Sequence, residues 1–215
     1  MRYDAAIFDL DGTLLDTIDD LKNSINHALS VCGYPPRTRA EVLAFVGNGV
    51  PRLVELAVPP GTPADRRQAV LDAMNAHYAV HCAELTRPYP GITDVLRTLR
   101  AAGVHVAVVS NKPDYGVQEL CARYFPGLLD SAVGMREGIR KKPYPDAVEA
   151  ALAAFGVPPE RAVYIGDSEV DVQTAKNAHT ALIAVDWGFR THAQLVEAGA
   201  ERIVSDADAL LALLR

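Results

Sequence analysis

Ala5-Ala6-Ile7-Phe8-Asp9-Leu10-Asp11-Gly12-Thr13-Leu14-Leu15-Asp16-Thr17 is the stretch that decides how this chain folds. Its first four residues are a short apolar run of the kind that a parallel sheet buries on both faces. Asp9 and Asp11 follow at the carboxyl end of the run, and Gly12 permits a tight turn that leaves both carboxylates at the strand's mouth. In an open parallel sheet that mouth is where ligands bind. A local reading competes, because Asp and Gly also dominate polar turns for reasons of hydrogen bonding and backbone freedom. A calcium loop does not compete: it needs oxygen ligands at fixed steps and a closing Glu, and Leu14 and Leu15 occupy the space.

Beyond Leu85 the chain alternates apolar runs with amphipathic ones. The pattern predicts a first strand over Ala5–Leu10 and later strands over Val104–Val109, Ser131–Gly134, Val163–Ile165, Ala181–Val185 and Arg202–Val204. It predicts helices over Thr93–Ala102, Asp114–Tyr124, Pro145–Phe155, Val170–Ala178, Thr191–Ala198 and Ala207–Arg215, with Gly103, Gly156 and Gly199 where helix ends need glycine. Such alternation implies βαβ units and a doubly wound parallel sheet in an α/β fold.

The stretch after Thr17 breaks that rhythm. It carries helical periodicity (Leu21, Ile25, Leu29; Val70, Met74, Tyr78) and no convincing strand, and Thr38-Arg39-Ala40-Glu41 is a capping-box pattern that starts one of its helices. Thr86-Arg87-Pro88-Tyr89-Pro90-Gly91 is a stiff return segment. The expected organisation is an α/β core from residues 1–16 and 86–215, interrupted by a small helical domain over 17–85.

The chain has 215 residues, 49% of them apolar, enough for one substantial core or one core with a smaller lobe. A formal charge of −6 argues against nucleic acid as a partner. Cys32, Cys82 and Cys121 are far apart and in no metal-ligand spacing, so they are expected to be buried free thiols in a reducing compartment. Asp4, Asp9 and Asp11 interrupt the apolar stretch a signal peptide would need, and no segment is long enough to span a bilayer. No membrane partner and a cytoplasmic location are expected, as a monomer or homodimer.

Four groups fall at the carboxyl ends of predicted strands or at the helix starts after them: Asp9 with Asp11, Ser110 with Asn111, Lys142, and Gly166-Asp167-Ser168 with Asp171. Singly, each has a local explanation. Ser110 and Asp167 could be helix caps, Lys142 a solvated charge, and Asp171 a first-turn acid favoured by the helix dipole. Together they would share one crevice, because a parallel sheet sets its strand ends side by side. Four carboxylates at one mouth repel one another, and a divalent cation with oxygen ligands, best Mg²⁺, would relieve that. Lys142, Ser110 and nearby backbone N–H groups would then receive a phosphate.

The set Asp9-x-Asp11-Gly12-Thr13, Ser110-Asn111, Lys142-Pro143 and Gly166-Asp167-x-x-x-Asp171 resembles, in order and over the whole chain, the four motifs of the haloacid dehalogenase superfamily. The helical insertion is similar to that superfamily's cap. The resemblance implies that Asp9 is the nucleophile, attacking the phosphorus of a phosphomonoester to give an aspartyl-phosphate that water hydrolyses. It implies that Asp11 is the general acid and base. It implies a Mg²⁺ held by the side chains of Asp9 and Asp167 and the backbone carbonyl of Asp11, with Asp171 orienting metal-bound water. Ser110, the Asn111 backbone and Lys142 would bind the transferring phosphoryl oxygens, with Thr13 beside them. Lys142 is chosen over Lys141 because the family's lysine directly precedes proline. Where the family has glycine after the Asp-containing helix, this chain has His179, which touches a helix end and not the chemistry.

Substrate choice in the superfamily lies largely in the cap. Phe45-Val46-Gly47-Asn48-Gly49-Val50-Pro51 looks like the cap loop of phosphoglycolate phosphatases, as do Asn111-Lys112-Pro113 and Trp187-Gly188-Phe189. Gly47, Asn48 and Gly49 are therefore candidate substrate contacts, and Arg52 is the candidate to meet a substrate carboxylate bidentately. The local alternative is a turn between two helices. The implied activity is hydrolysis of a small phosphorylated metabolite, foremost 2-phosphoglycolate. Inorganic pyrophosphatase and β-phosphoglucomutase are the alternatives with the same motifs. A haloacid dehalogenase proper would lack Asp11, and a non-catalytic binding module would be expected to have lost Asp9 or Asp11.

Overall fold

The computed structural model describes all 215 residues. In chain order its elements are β1 (Ala5–Phe8), β2 (Leu15–Asp16), α1 (Ile18–Val31), α2 (Arg39–Phe45), α3 (Val50–Ala57), α4 (Ala64–His81), β3 (Arg87–Pro88), α5 (Ile92–Ala101), β4 (His105–Pro113), α6 (Asp114–Tyr124), β5 (Ser131–Met135), α7 (Asp146–Phe155), β6 (Ala162–Gly166), α8 (Glu169–Asn177), β7 (Ala181–Val185), α9 (His192–Glu197), β8 (Ile203–Val204) and α10 (Ala207–Leu214). The chain divides into two compact units, one of Met1–Leu15 with Pro88–Arg215 and the other of Asp16–Arg87.

The first unit is an α/β fold on a six-stranded parallel sheet in the order β5-β4-β1-β6-β7-β8. Every residue of β1 is fully buried, because the alternating side chains of a central parallel strand meet helices on both faces. Ala5, Ile7, Ala107, Val109, Ala162 and Tyr164 point to one face and pack with Ala147, Val148, Ala151 and Leu152 of α7 and Ala175 of α8. Ala6, Phe8, Val106, Val108, Val163 and Ile165 alternate with them and are equally buried. Strand order runs outward from β1 in both directions, so β1 is the switch point of the sheet. Its register sets Phe8 level with Val108 on one side and Ile165 on the other.

Two boundaries differ from the sequence pattern in ways that matter to the site. β1 ends at Phe8, not Leu10, because the Leu10 carbonyl turns to accept from the N–H groups of Leu14 and Leu15, both at 3.0 Å, and of Thr13 at 3.4 Å. β4 continues to Pro113 instead of stopping at Val109. Val109 pairs with Val133 and Pro113 with Met135, so four steps along β4 answer two along β5, a bulge that re-aims the side chains between them. Gly103, Gly156 and Gly199 take the left-handed conformation expected at helix ends, and so does His179, at φ 56°.

The second unit consists of α1 to α4, with α1 packed along α4. The periodic residues Leu21, Ile25, Leu29, Val70, Met74 and Tyr78 are all buried. Thr38 caps α2 through the expected reciprocal box with Glu41. Asp20 is buried here as well, accepting from the backbone N–H groups of Leu85 (3.0 Å) and Thr86 (2.8 Å) and from the Thr86 hydroxyl (2.8 Å).

Candidate active site

At the carboxyl edge of the sheet, the chain immediately after β1 lies between the ends of β4 and β6. The Asp9 N–H donates to the Ile165 carbonyl at 2.9 Å, which continues the β1–β6 ladder by one bond and fixes where the Asp9 side chain emerges. Leu10 N–H donates to Asp9 Oδ1 at 2.7 Å. Lys142 Nζ lies 2.9 Å from the same oxygen. That ammonium is only 3% exposed, and it is shared: it lies 2.8 Å from Asp171 Oδ1 and 3.0 Å from the Tyr164 hydroxyl. Asn111 Nδ2 donates to the Lys142 carbonyl at 3.1 Å, at the cis Lys142–Pro143 bond.

The carboxylates of Asp9, Asp167 and Asp171 gather within 4.8 Å of one another. Asp167 is braced by the Thr13 hydroxyl at 2.9 Å and the Phe189 N–H at 2.7 Å, one on each oxygen. Three glycines make the crowding possible. A Cβ on Gly12 would lie 2.3 Å from Asp167 Oδ2, one on Gly188 2.3 Å from the Gly12 carbonyl, and one on Gly166 2.3 Å from the Asp171 carboxyl carbon. Trp187 locks the same corner by donating from Nε1 to the Thr13 carbonyl at 3.1 Å.

Burial raises the Asp9 carboxyl to a pKa of about 7; Lys142 opposes the shift, and the charges of Asp171 and Asp11 add to it. Burial pushes Asp167 well above the carboxylate range too, helped by Asp171 and Asp9. Lys142 is raised as well, with the opposite consequence for charge: burial disfavours its ammonium, but Asp171 and Asp9 outweigh burial and hold it protonated. The edge gathers four carboxyl groups, Asp9, Asp11, Asp167 and Asp171, against two enclosed ammonium groups, Lys142 and Lys112, so its acids outnumber its cations. An all-oxygen donor set in that condition fits a hard divalent cation. Asp9 and Asp167 are the residues with capacity to hold one. Each Asp167 oxygen accepts a single bond, whereas Asp171 is saturated, its Oδ1 accepting from Lys142 and Tyr164 and its Oδ2 from Ser168 Oγ at 2.6 Å and the N–H groups of Ser168 and Asp167.

The structure thus brings Asp9, Thr13, Ser110, Asn111, Lys142, Asp167 and Asp171 to one edge. Asp11 stands beside them, its carboxylate outside the cluster of three and paired with Lys112 at 2.8 and 3.1 Å. Ser110 and Asn111 lie within the bulged end of β4, so Ser110 is no helix cap; its hydroxyl accepts from Lys112 N–H at 3.3 Å. Ser168, not Asp167, caps α8. Gly47, Asn48, Gly49 and Arg52 belong to the helical unit, where residues 46–49 join α2 to α3 and Arg52 pairs with Glu55 at 2.6 Å. Cys121 is buried, and its thiol is pushed up to about 12, chiefly by burial and then by the Asp11 charge. Cys32 is only partly buried, contrary to expectation, and none of the three cysteines forms a disulfide.

Sequence reasoning passed over two members of the site. A tyrosine in the middle of a buried strand, as Tyr164 is, needs a polar partner for its hydroxyl, and that signal was available in the sequence. Lys112 was visible only as part of Asn111-Lys112-Pro113, and its contact with Asp11 depends on the bulge in β4.

The profile of the haloacid dehalogenase-like hydrolases matches residues 6–185 of this sequence. The chain belongs to that family. It is 37% identical over 215 residues to a phosphoglycolate phosphatase of Cereibacter sphaeroides, covering 97% of this chain and 96% of the relative. A solved structure assigned as a phosphoglycolate phosphatase, from Lactobacillus delbrueckii subsp. bulgaricus, superposes with a TM-score of 0.95 at 40% identity, covering 100% of this chain and 99% of the other. CbbY of Rhodobacter sphaeroides, solved with phosphate, is more distant, with a TM-score of 0.72 at 27% identity over 94% of this chain and 93% of its own. Membership of this hydrolase family together with full-length likeness to phosphoglycolate phosphatases makes this protein a phosphatase. No helix in it is long and apolar enough to cross a membrane.

Proposed function

We propose that this phosphatase hydrolyses 2-phosphoglycolate, with Asp9 as nucleophile, Asp11 as general acid and base, and Mg²⁺ as cofactor. The observation that carries the reading is the buried Asp9 carboxylate, fixed at the switch point of the sheet with the Lys142 ammonium 2.9 Å away and Asp167 alongside. An Asp9 oxygen attacks phosphorus while the ester P–O bond breaks, and the Asp11 carboxyl proton passes to the departing alkoxide. Water then attacks the aspartyl-phosphate and gives its proton to Asp11; the Asp9–phosphorus bond breaks, and inorganic phosphate leaves with Asp9 restored. Lys142, Ser110 and the Asn111 backbone receive the phosphoryl oxygens as their charge develops. Thr13 holds Asp167, and Asp171 holds Lys142. Mg²⁺ bound by Asp9, Asp167 and the Asp11 carbonyl would offset the repulsion between carboxylate and phosphate.

The helical unit is proposed as the cap that selects substrate through Gly47, Asn48, Gly49 and Arg52, with Arg52 exchanging Glu55 for the carboxylate of phosphoglycolate. The full-length similarity to phosphoglycolate phosphatases supports this substrate over pyrophosphate or a mutase reaction. Three cysteines outside any disulfide fit a reducing compartment, the cytoplasm.

A phosphate-release panel with Mg²⁺ tests the reading, using phosphoglycolate, pyrophosphate, sugar phosphates and nucleotides, with Asp9→Asn as the control. Phosphoglycolate is expected to give the highest kcat/KM, and Arg52→Ala to raise its KM. Equal rates on every substrate would remove the phosphoglycolate assignment. Activity surviving in Asp9→Asn would remove the mechanism.

A further inference from the structure

We propose that Lys112 is a positioning residue for Asp11: it fixes the carboxylate that moves the proton, and the turn from β4 into α6 is built to hold it there. The proposal rests on the reading of Asp11 as general acid and base. Lys112 is buried, an unusual place for a lysine, and its ammonium reaches both oxygens of Asp11, at 2.8 and 3.1 Å, across 101 residues of sequence. The Asp11 side chain is 19% exposed, so without a partner it would sample several rotamers at the open edge of the sheet.

Three features of the surrounding chain put the ammonium in place. The bulge in β4 between Val109 and Pro113 turns Lys112 out of the regular alternation of the strand. Gly134 of β5 lets the two backbones approach so closely that a Cβ there would lie 2.6 Å from Asp114 Cα and 2.7 Å from the Lys112 carbonyl, and its N–H donates to Asp114 Oδ1 at 2.8 Å. Gly116, in the first turn of α6, gives the lysine stem a bed: a Cβ there would lie 3.3 Å from Lys112 Cε and 3.5 Å from Cδ. Glycine inside a helix costs stability, and here it leaves room for the one side chain that ends on Asp11.

Lys142 cannot replace this contact, being committed to Asp9, Asp171 and Tyr164. The edge thus has two ammonium groups with separate duties, one for the nucleophile and one for the proton carrier. Misplacing a reacting group by about 1 Å costs on the order of 10²-fold in rate.

The test is a double-mutant cycle on steady-state phosphatase activity with Mg²⁺ and phosphoglycolate. Lys112→Met keeps the apolar stem; it is expected to lower kcat about 10²-fold with KM within a factor of about two. In the Asp11→Asn background the same substitution should change kcat less than about two-fold, since the group it acts through is gone. Gly116→Val displaces the stem without removing the charge, and covers the case in which Lys112→Met does not fold. It should lower kcat at least about ten-fold in the wild-type background and not at all with Asp11→Asn. Full additivity of either variant with Asp11→Asn, or unchanged kcat in both, overturns the proposal. Wild-type kcat in Asp11→Asn alone would overturn the reading of Asp11 instead, which separates the two failures.

Discussion

Two helices of this protein start with the same device and use it differently. α2 begins at Thr38, whose hydroxyl accepts from Glu41 N–H at 3.2 Å while its own N–H donates to Glu41 Oε2 at 2.8 Å. α8 begins at Ser168, with Asp171 closing the reciprocal box at 3.4 and 3.1 Å. In each box the acid's second oxygen turns to a cation: Glu41 Oε1 to Arg37 at 3.1 Å, Asp171 Oδ1 to Lys142 at 2.8 Å. The first pair is partly exposed and screened by water, whereas the second is 3% and 0% exposed. A surface pair of the first kind contributes little to stability, and an enclosed pair becomes costly once one partner is removed. The difference comes from location: α2 starts in a loop between helices, and α8 starts at the edge of the sheet where Asp9 emerges.

Lys142→Met should break that contrast most severely. It leaves Asp9 and Asp171 buried without their cation, for an expected loss of about 3–5 kcal/mol in denaturant unfolding. Phosphatase activity should fall at least 10²- to 10³-fold, the scale of losing one group that stabilises transition-state charge. Glu41→Gln, the parallel lesion at α2, should leave kcat as it was. Similar unfolding curves for the two variants would contradict the view that the α8 box is part of the site.

The pH dependence of stability sharpens the same contrast. Asp9 stands near 7 in the folded protein against 3.8 as an ordinary carboxyl, so the unfolded chain releases its proton first as pH rises. Its contribution to stability is fully present below about pH 4 and is lost progressively toward pH 7, by up to about 4 kcal/mol. Asp167, raised as well, acts in the same direction. Metal-free protein should therefore lose stability between pH 4 and 7, with a shallower slope in Asp9→Asn. Glu41 is held below its ordinary value by the Thr38 N–H and hydroxyl and by Arg37, so its effect has the opposite sign: stabilising above the ordinary range, lost as pH falls below it. An unchanged slope in Asp9→Asn would mean that another group sets the acid-side stability.

Periodicity carried the sheet and its helices in the sequence, because a two-residue or 3.6-residue repeat survives any tertiary detail. The convergence of Asp9, Ser110, Lys142 and Asp167 was legible for a related reason: parallel topology alone sets strand ends together. What stayed hidden depends on side-chain reach. The Thr38 box is recognisable in the sequence, while at Ser168-Glu169-Val170-Asp171 the expected cap is Asp167 with Asp171 as a first-turn acid, and the cap proves to be Ser168. The bond from the Thr13 hydroxyl to Asp167, across 154 residues of sequence, is of this kind. The bulge that turns Lys112 toward Asp11 has no period at all, since it arises from a mismatch between two strands far apart in sequence.

Ser168→Ala against Thr38→Ala is the matched pair for the two starts. Each removes a cap hydroxyl, and each should cost about 1–2 kcal/mol. Only Ser168→Ala should also lower kcat, because its hydroxyl donates at 2.6 Å to the carboxylate that holds Lys142. Equal kcat in both would return the α8 box to a purely structural role.

The far end of α8 supplies the smallest and cleanest test. His179 follows the helix in the left-handed conformation at φ 56°, where a side chain crowds the backbone and glycine does not. α7 ends on Gly156 at φ 67° in the same conformation without that strain. His179 is exposed and no part of the edge cluster, so His179→Gly should stabilise the protein by about 1 kcal/mol with kcat and KM unchanged. If stability rises while activity stays constant, α8 is divided between its ends: the first turn is specified by the site and the last only by the fold. A fall in kcat would mean that the whole helix, and not the Ser168–Asp171 turn alone, positions Lys142.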